Sequence, residues 1–262
     1  MTIAQDTLQT ELNAGVATVR MNRPDVHNAF DDALIAALTG ELRRLEQLPA
    51  ARVVVLAANG QSFSAGADLN WMRRMAGYSH DENLKDALAL AGLMRVLDGM
   101  KKPTIAKVQG AAFGGGVGLV ACCDIAIAST QASFSLSEVR LGLIPSVISP
   151  YVIAAIGERA ARRYFLTAER FDAAEAKRIG LVHEVVAGGE LDQTVANMIG
   201  HLLKGGPKAL AAAKQLIVDV GRRPMDDHLA METARRIAAI RVDSEGREGI
   251  AAFVEKRAPD WK

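Results

Sequence analysis

An α/β core that gives way to a helical C-terminal region is the architecture this sequence predicts. Up to Pro145, short alternating or β-branched runs take turns with stretches whose apolar residues recur at helical spacing. Beyond Pro145 the helical spacing continues almost alone, so strand–helix units are followed by helices packed on them. One run, Val53-Val54-Val55-Leu56, is apolar at every position, as expected of a strand covered on both faces.

The elements follow in chain order. Residues 8–21 read as a hairpin: Leu8, Thr10 and Leu12 alternate, Asn13-Ala14-Gly15 turn the chain, and Val16 to Met21 return. After Asn22-Arg23-Pro24 comes a helix with Leu34, Leu38, Leu42 and Leu45 on one face and Asp31, Arg43, Arg44 and Glu46 on the other, stopped by Pro49. The strand at 53–56 leads through a loop, Asn59 to Gly66, into a short helical stretch from about Asp68. Residues 81–99 form an amphipathic helix, and Thr104 to Val108 a strand. The glycine run from Gly110 to Gly118 then leads into an apolar helix, Leu119 to Cys123. Strands read from Asp124 to Ala128 and from Ser133 to Leu136. The later helices lie near 149–157, 159–166, 172–179, 190–203, 207–221, 225–241 and 243–257, interrupted by a β-like piece from Leu181 to Val186.

Composition narrows the function classes. The net charge of +1 over 262 residues provides no long-range field for nucleic acid or anionic lipid. Basic doublets such as Arg43-Arg44 and Arg235-Arg236 are interspersed with acidic residues and read as solvated helix faces. Cys122 and Cys123 are adjacent inside an apolar run, a placement that rarely meets disulfide geometry, and no spacing suggests a metal site. Met1 to Gln9 is polar and lacks an apolar signal core, and apolar stretches elsewhere are broken before about 18 residues. A cytoplasmic protein without a membrane span is expected.

Four features could carry chemistry. Phe63-Ser64-Ala65-Gly66-Ala67-Asp68 lies between a buried strand and a helix start, where small residues let the backbone approach a ligand and N–H groups are unpaired. A capped turn on Asp68 explains it equally. Gly114-Gly115-Gly116 exposes N–H groups at the positive end of a helix, suited to an oxyanion, or serves tight strand–helix packing. Along Ser133 to Glu138 the serines share one parity, while Phe134, Leu136 and Glu138 share the other. If the strand runs through, the carboxyl points to the apolar side, where desolvation raises its pKa and suits it to general acid/base work. The alternative is a surface ion pair with Arg140. The end of the chain, Phe253-Val254-Glu255-Lys256-Arg257, reads by itself as a charged helix terminus.

Gly116-Val117-Gly118-Leu119-Val120-Ala121 matches the dinucleotide pattern G-x-G-x-x-A, but that fingerprint needs about ten helical residues before the next strand, and Asp124 opens a strand almost at once. No phosphate loop and no G-x-S-x-G elbow occurs.

Taken in order, these pieces resemble the crotonase (enoyl-CoA hydratase/isomerase) family over almost the whole chain. The matching string runs from Arg23-Pro24 and Asn28-Ala29 through Phe63 to Asp68 and Lys102-Pro103-Thr104-Ile105-Ala106. It continues with Gly110, Gly114 to Gly116, Cys123-Asp124-Ile125, Phe134, Glu138 and Leu143-Ile144-Pro145. It closes with Gly180-Leu181-Val182 and Phe253 to Arg257. The resemblance implies a crotonase-like spiral of ββα units over residues 1–190 and a helical trimerisation region over 191–262, with homotrimers usually paired into hexamers. It implies an acyl-CoA thioester as substrate, with no separate cofactor, metal, nucleic acid or membrane partner. Glu138 matches the acid/base position, and the backbone N–H groups of Ala67 and Gly115 match the pair that polarises the thioester carbonyl. Val26, Ala65, Asp68 and Leu69 would line the CoA, joined by Phe253. Lys256, from its own or a neighbouring subunit, would approach a CoA phosphate.

The chain departs from the family at two places. Hydratases proper hold a water between two glutamates, and the first belongs where this sequence has Gly118. The glycine-rich segment after Pro145 is replaced by Ser146-Val147-Ile148-Ser149-Pro150, which suggests a reshaped acyl pocket around Gly118, Trp71 and Ser146. Ala67 to Met72, Gly114 to Asp124 and Leu136 to Leu141 are similar to the bacterial branch that handles glutaconyl-type thioesters in leucine and acyclic-terpene breakdown, the methylglutaconyl-CoA and isohexenylglutaconyl-CoA hydratases. The implied activity is hydration of a branched, carboxylate-bearing enoyl-CoA, with space at Gly118 for the substrate's carboxylate or an anion. A single-glutamate enoyl-CoA isomerase and a non-catalytic CoA-thioester binder are the alternatives.

Overall fold

Antiparallel pairing begins the chain and parallel pairing completes its main sheet. The computed structural model describes residues 2–5, 7–221 and 223–261. Strand β1 (Thr2–Gln5) pairs antiparallel with β2 (Leu8–Asn13), and β2 with β3 (Val16–Met21) across the turn at Ala14-Gly15. A 3-10 turn, Pro24–Val26, precedes helix α1 (Asp32–Gln47), whose first turn is capped by the Asp31 carboxylate accepting from the Leu34 N–H. β4 (Val53–Ala58) runs parallel to β3, and α2 (Leu69–Met75) and α3 (His80–Asp98) follow. Next come β5 (Thr104–Val108), β6 (Ala112–Phe113), α4 (Gly115–Cys122), β7 (Ile125–Ser129) and β8 (Ser133–Ser135). A 3-10 turn, Glu138–Leu141, leads to α5 (Ser149–Thr167), which Gly157 interrupts at φ 73°. The chain ends with β9 (Phe171–Asp172), α6 (Ala173–Arg178), β10 (Glu184–Val186), α7 (Leu191–Leu203), α8 (Pro207–Val220), α9 (Asp227–Val242) and α10 (Ser244–Val254).

The seven-stranded sheet has the order β1-β2-β3-β4-β5-β7-β10. Side chains alternate across it, and both faces are covered, as the unbroken apolar run at 53–56 predicts. Val54, Leu56, Ala106, Val108, Ala126 and Ala128 face the larger core, which α1, α3, α4 and α5 share. Val53, Val55, Ile105 and Ile127 face Leu191 and Val195 of α7. Each valine, leucine or isoleucine so buried contributes on the order of 1.5–3 kcal/mol.

A second, smaller sheet has the order β6-β8-β9, and Ser64 extends it by bridging Ala112. Three successive passes of the chain therefore each lay one strand in the large sheet, one short rung in the small one, and a helix. The first pass is β4, Ser64 and α2–α3; the second is β5, β6 and α4; the third is β7, β8 and α5. This is the crotonase-like spiral of ββα units that the resemblance implied.

Among the C-terminal helices, α8 is tied to the core through Lys214, whose Nζ donates to Asp124 Oδ2 at 2.9 Å. The same oxygen accepts from the Thr104 N–H and hydroxyl at 2.8 and 2.9 Å, so one carboxylate joins two parallel strands to a distal helix. Ile217, Val218, Phe253 and Val254 remain exposed on α8 and α10. No helix among the described residues is long and apolar enough to cross a membrane.

Candidate active site

The small sheet aligns the three residues that matter most. Ser64 bridges Ala112, and Ala112 pairs with Phe134, so three rungs lie side by side in parallel. The Phe113 N–H donates to the Ser64 carbonyl at 2.8 Å, and the Ser64 N–H to the Ala111 carbonyl at 3.0 Å. Ala67 lies three residues past the first rung, Gly115 three past the second and Glu138 four past the third. Parallel rungs in register thus deliver all three to the same edge.

Ala67 and Gly115 present backbone N–H groups there. Phe30 bridges Ala67 in parallel: its N–H donates to the Gly66 carbonyl at 2.7 Å, and its carbonyl accepts from the Asp68 N–H at 2.7 Å. These bonds straddle Ala67 and turn its own N–H to the opposite side. Gly114 takes φ 50°, ψ −117°, a conformation that requires glycine, and its N–H donates to the Ser135 carbonyl at 2.9 Å. Gly115 then opens α4, where N–H groups have no partner inside the helix. Among the described residues neither the Ala67 nor the Gly115 N–H has a hydrogen-bond acceptor. The helix start places a partial positive charge at the same spot.

Glu138 arrives by a route different from the one its parity predicts. The strand does not run through: β8 ends at Ser135, and Glu138 is the first residue of the 3-10 turn. Alternation with Phe134 and Leu136 is therefore not what orients it. Its carboxyl is nevertheless largely buried, with Oε2 shielded from solvent and without a hydrogen-bond partner. Oε1 lies 3.1 Å from where a Cβ on Gly114 would stand. Burial pushes the Glu138 pKa up, opposed only partly by its own backbone N–H. Among the described residues no ion pair joins it to Arg140, so the surface-pair alternative is not what forms.

The pocket expected at Gly118 is filled. A Cβ built on Gly118 would overlap Ile148 Cγ2, stand 2.9 Å from Ile148 Cβ and 3.2 Å from Met94 Cε. The expectation that this glycine leaves space for a substrate carboxylate is thus corrected: the glycine exists because Ile148 packs against it. Ser146 is exposed in the turn ahead of α5, and Ile148, two residues on, is buried in the core, with Val147 packed partly against it. Trp71 is buried in the main core, and its indole N–H donates to Asp86 Oδ1 at 3.2 Å. Burial pushes the Asp86 carboxyl up, and the indole offsets this in part.

The residues expected along the CoA divide into two groups. Val26, Ala65 and Leu69 share one surface, because the Ala65 N–H donates to the His27 carbonyl at 3.0 Å, and Val26 and Leu69 are exposed. Asp68 adjoins them, but its carboxylate is committed within the chain. Oδ1 accepts from the Asn70 and Trp71 N–H groups, and Oδ2 pairs with Arg23 at 3.0 Å. Burial alone would push its pKa up; those N–H groups and Arg23 outweigh it and hold the carboxyl below its usual range. Phe253 and Lys256 lie elsewhere, at the exposed end of α10, and no hydrogen bond or ion pair joins them to the first group.

Sequence reasoning missed three contributors: Ile148, Met94 and Phe30. For Ile148 a signal existed, since a glycine stands where a glutamate was expected and a bulky residue stands in the segment that replaces glycines. Nothing in the chain order pairs Phe30 with Gly115. Yet a Cβ on Gly115 would stand 3.1 Å from Phe30 Cε2. Burial pushes both the Cys122 and Cys123 thiols up, which leaves them unreactive core side chains. Among the described residues no group of three His, Cys, Asp or Glu side chains is placed to hold a metal.

Over nearly its whole length the chain is similar to known proteins of one family. The family model for enoyl-CoA hydratase/isomerase matches residues 11–262. An enoyl-CoA hydratase of Shewanella pealeana is 49% identical, with a TM-score of 0.94 over 97% of this chain and 96% of its own. The 2,3-dehydroadipyl-CoA hydratase of Escherichia coli K12 is 32% identical over 94% of this chain and 95% of its own length. The crotonyl-CoA hydratase of Syntrophomonas wolfei is 30% identical over 99% of each.

Proposed function

The chain belongs to the enoyl-CoA hydratase/isomerase (crotonase) family and is an enoyl-CoA hydratase; from that premise we propose that its substrate is a branched, carboxylate-bearing enoyl thioester of the methylglutaconyl type. The observation that carries the catalytic assignment is the buried, unpartnered Oε2 of Glu138 beside two backbone N–H groups that have no acceptor.

In this reading the thioester carbonyl accepts from the Ala67 and Gly115 N–H groups. Water adds to C3 and loses a proton to Glu138, while the double-bond electrons move through C2 to the carbonyl oxygen. The resulting enolate is held by the two N–H groups, whose hydrogen bonds strengthen as charge develops on the oxygen. Glu138 then returns a proton to C2. Its raised pKa suits a carboxyl that must both take and give a proton near neutral pH.

One feature supports the choice of acyl group. One relative named above acts, by its name, on a carboxylate-bearing enoyl-CoA. The Gly118 position, packed by Ile148 and Met94, offers neither a second protein carboxylate nor room for one on the substrate, so in this reading Glu138 alone holds the water. The same single carboxylate favours isomerisation as the second reading. Assay of methylglutaconyl-CoA against crotonyl-CoA by mass spectrometry separates them: hydration adds the mass of water, whereas isomerisation in heavy water adds deuterium only. No water adduct from any branched carboxylated thioester, with turnover of crotonyl-CoA intact, would overturn the substrate proposal.

The assembly is proposed on similar grounds. The exposed Ile217, Val218, Phe253 and Val254 supply the apolar surface that a homotrimer, or a dimer of trimers, would bury, and a neighbouring subunit would bring Phe253 and Lys256 toward the CoA. A sedimentation measurement that finds only monomer would remove this.

A further inference from the structure

We propose that Phe30 is a positioning residue for the oxyanion site, holding the Ala67 and Gly115 N–H groups at a common spacing through its backbone on one side and its ring on the other. The inference rests on the reading of those two N–H groups as the thioester's hydrogen-bond donors.

Two independent contacts converge on this one residue. Its N–H and carbonyl bond Gly66 and Asp68 at 2.7 Å each, which clamps the peptide units on either side of Ala67. Its ring lies over the other donor: Cε2, Cδ2 and Cζ stand 3.1, 3.2 and 3.7 Å from a Cβ placed on Gly115. The first two distances are tighter than an ordinary van der Waals contact, so the ring lies directly against the Gly115 backbone. Phe30 is 2% exposed and cannot swing away into solvent.

The segment that carries Phe30 is itself held rigidly. Asn28, fully buried at φ 53°, accepts from the Arg23 N–H at 2.8 Å and donates to the Asn59 and Ser62 carbonyls at 2.8 Å each. Arg23 also donates to the Ala29 carbonyl at 2.6 Å and pairs with Asp31 and Asp68, the caps on either side of the Phe30–Ala67 bridge. The donors come from two different passes of the spiral, and Phe30 touches the first through its backbone and the second through its ring. An oxyanion hole works through fixed donor geometry, so a shift of a few tenths of an ångström in one donor weakens stabilisation of the transition state more than binding of the ground state.

The test compares Phe30→Leu with Leu42→Ala, a truncation in the same core on α1 that touches neither donor. Phe30→Ala serves as a second, larger truncation wherever it folds. The readouts are melting temperature, kcat and KM, and the infrared carbonyl stretch of bound butyryl-CoA labelled with 13C at the thioester carbon, a saturated probe that cannot be hydrated. In the wild type the stretch should shift down on binding. Phe30→Leu should lose a large part of that shift and about 10-fold in kcat while KM moves less than about 3-fold, whereas Leu42→Ala should keep both the shift and kcat. A full shift and normal kcat in Phe30→Leu would overturn the inference and leave the donor assignment standing. So would equal losses in Leu42→Ala. No shift in the wild type would instead remove the donor assignment itself, and the role of Phe30 with it.

Discussion

Glu138 Oε1 lies 3.1 Å from the position a Cβ on Gly114 would take, so the proposed acid/base carboxyl and the glycine that caps the N–H-bearing helix are packed against one another. In the proposed mechanism that contact joins proton transfer and carbonyl polarisation in one site, although 24 residues separate the two positions.

Removing the carboxyl charge should separate chemistry from binding. Glu138→Gln keeps the shape and removes the proton carrier, so turnover should fall by roughly 10²- to 10⁴-fold with little change in affinity for a CoA thioester. Steady-state rates with calorimetric binding check this. Wild-type turnover in the variant would exclude Glu138 as the acid/base.

The same residue predicts two pH effects. Burial raises the Glu138 pKa above the ordinary glutamate value of 4.5, so the fold prefers the neutral carboxyl. Its contribution to stability is present at low pH and is lost as pH rises through the folded-state pKa. Glu138→Gln should therefore melt higher than the wild type at about pH 8, with the difference vanishing toward about pH 4. The acid limb of kcat/KM should lie above the normal glutamate range, because the ionised form accepts the proton from water. A melting difference that grows on acidification would contradict the burial argument.

Gly115→Pro deletes one N–H while proline remains tolerated at the first position of a helix. The rate should drop by about 10²- to 10³-fold. The ring of Phe30 must yield to the new side chain, so circular dichroism has to show an intact fold first. A folded variant with an unchanged rate would take Gly115 out of the oxyanion site.

Gly118→Glu should fail for a steric reason. With Ile148 and Met94 in the way, the new side chain overpacks the core by at least about 2 kcal/mol and buries a charge. Melting temperature and activity toward all thioesters should fall together. Adding Ile148→Gly should restore the fold and create the two-glutamate arrangement, raising crotonyl-CoA hydration relative to methylglutaconyl-CoA. If the double variant is no more stable than Gly118→Glu alone, Ile148 is not what occupies the space.

The amino-acid sequence determined the class of fold and the order of its main elements, because burial on both faces at 53–56 and the 3.6-residue periodicity beyond Pro145 are local patterns. It also identified Ala67, Gly115 and Glu138 through motif order. β1, β6 and β9 were not legible: β6 and β9 are only two residues long and exist through pairing with a distant partner, and β1 is a four-residue strand paired with the neighbouring β2. Glu138 was found by an argument about strand parity that the 3-10 turn does not obey; a carboxyl can be buried by what packs over it as well as by alternation. Space at Gly118 was inferred from the absence of a side chain, yet only the tertiary structure shows whether a neighbour fills it, and Ile148, 30 residues on, does. The contact of Phe30 with both donors depends in the same way on the segment ahead of α1 meeting two passes of the spiral. Such contacts are set by close packing between segments far apart in the chain, and no local pattern encodes them.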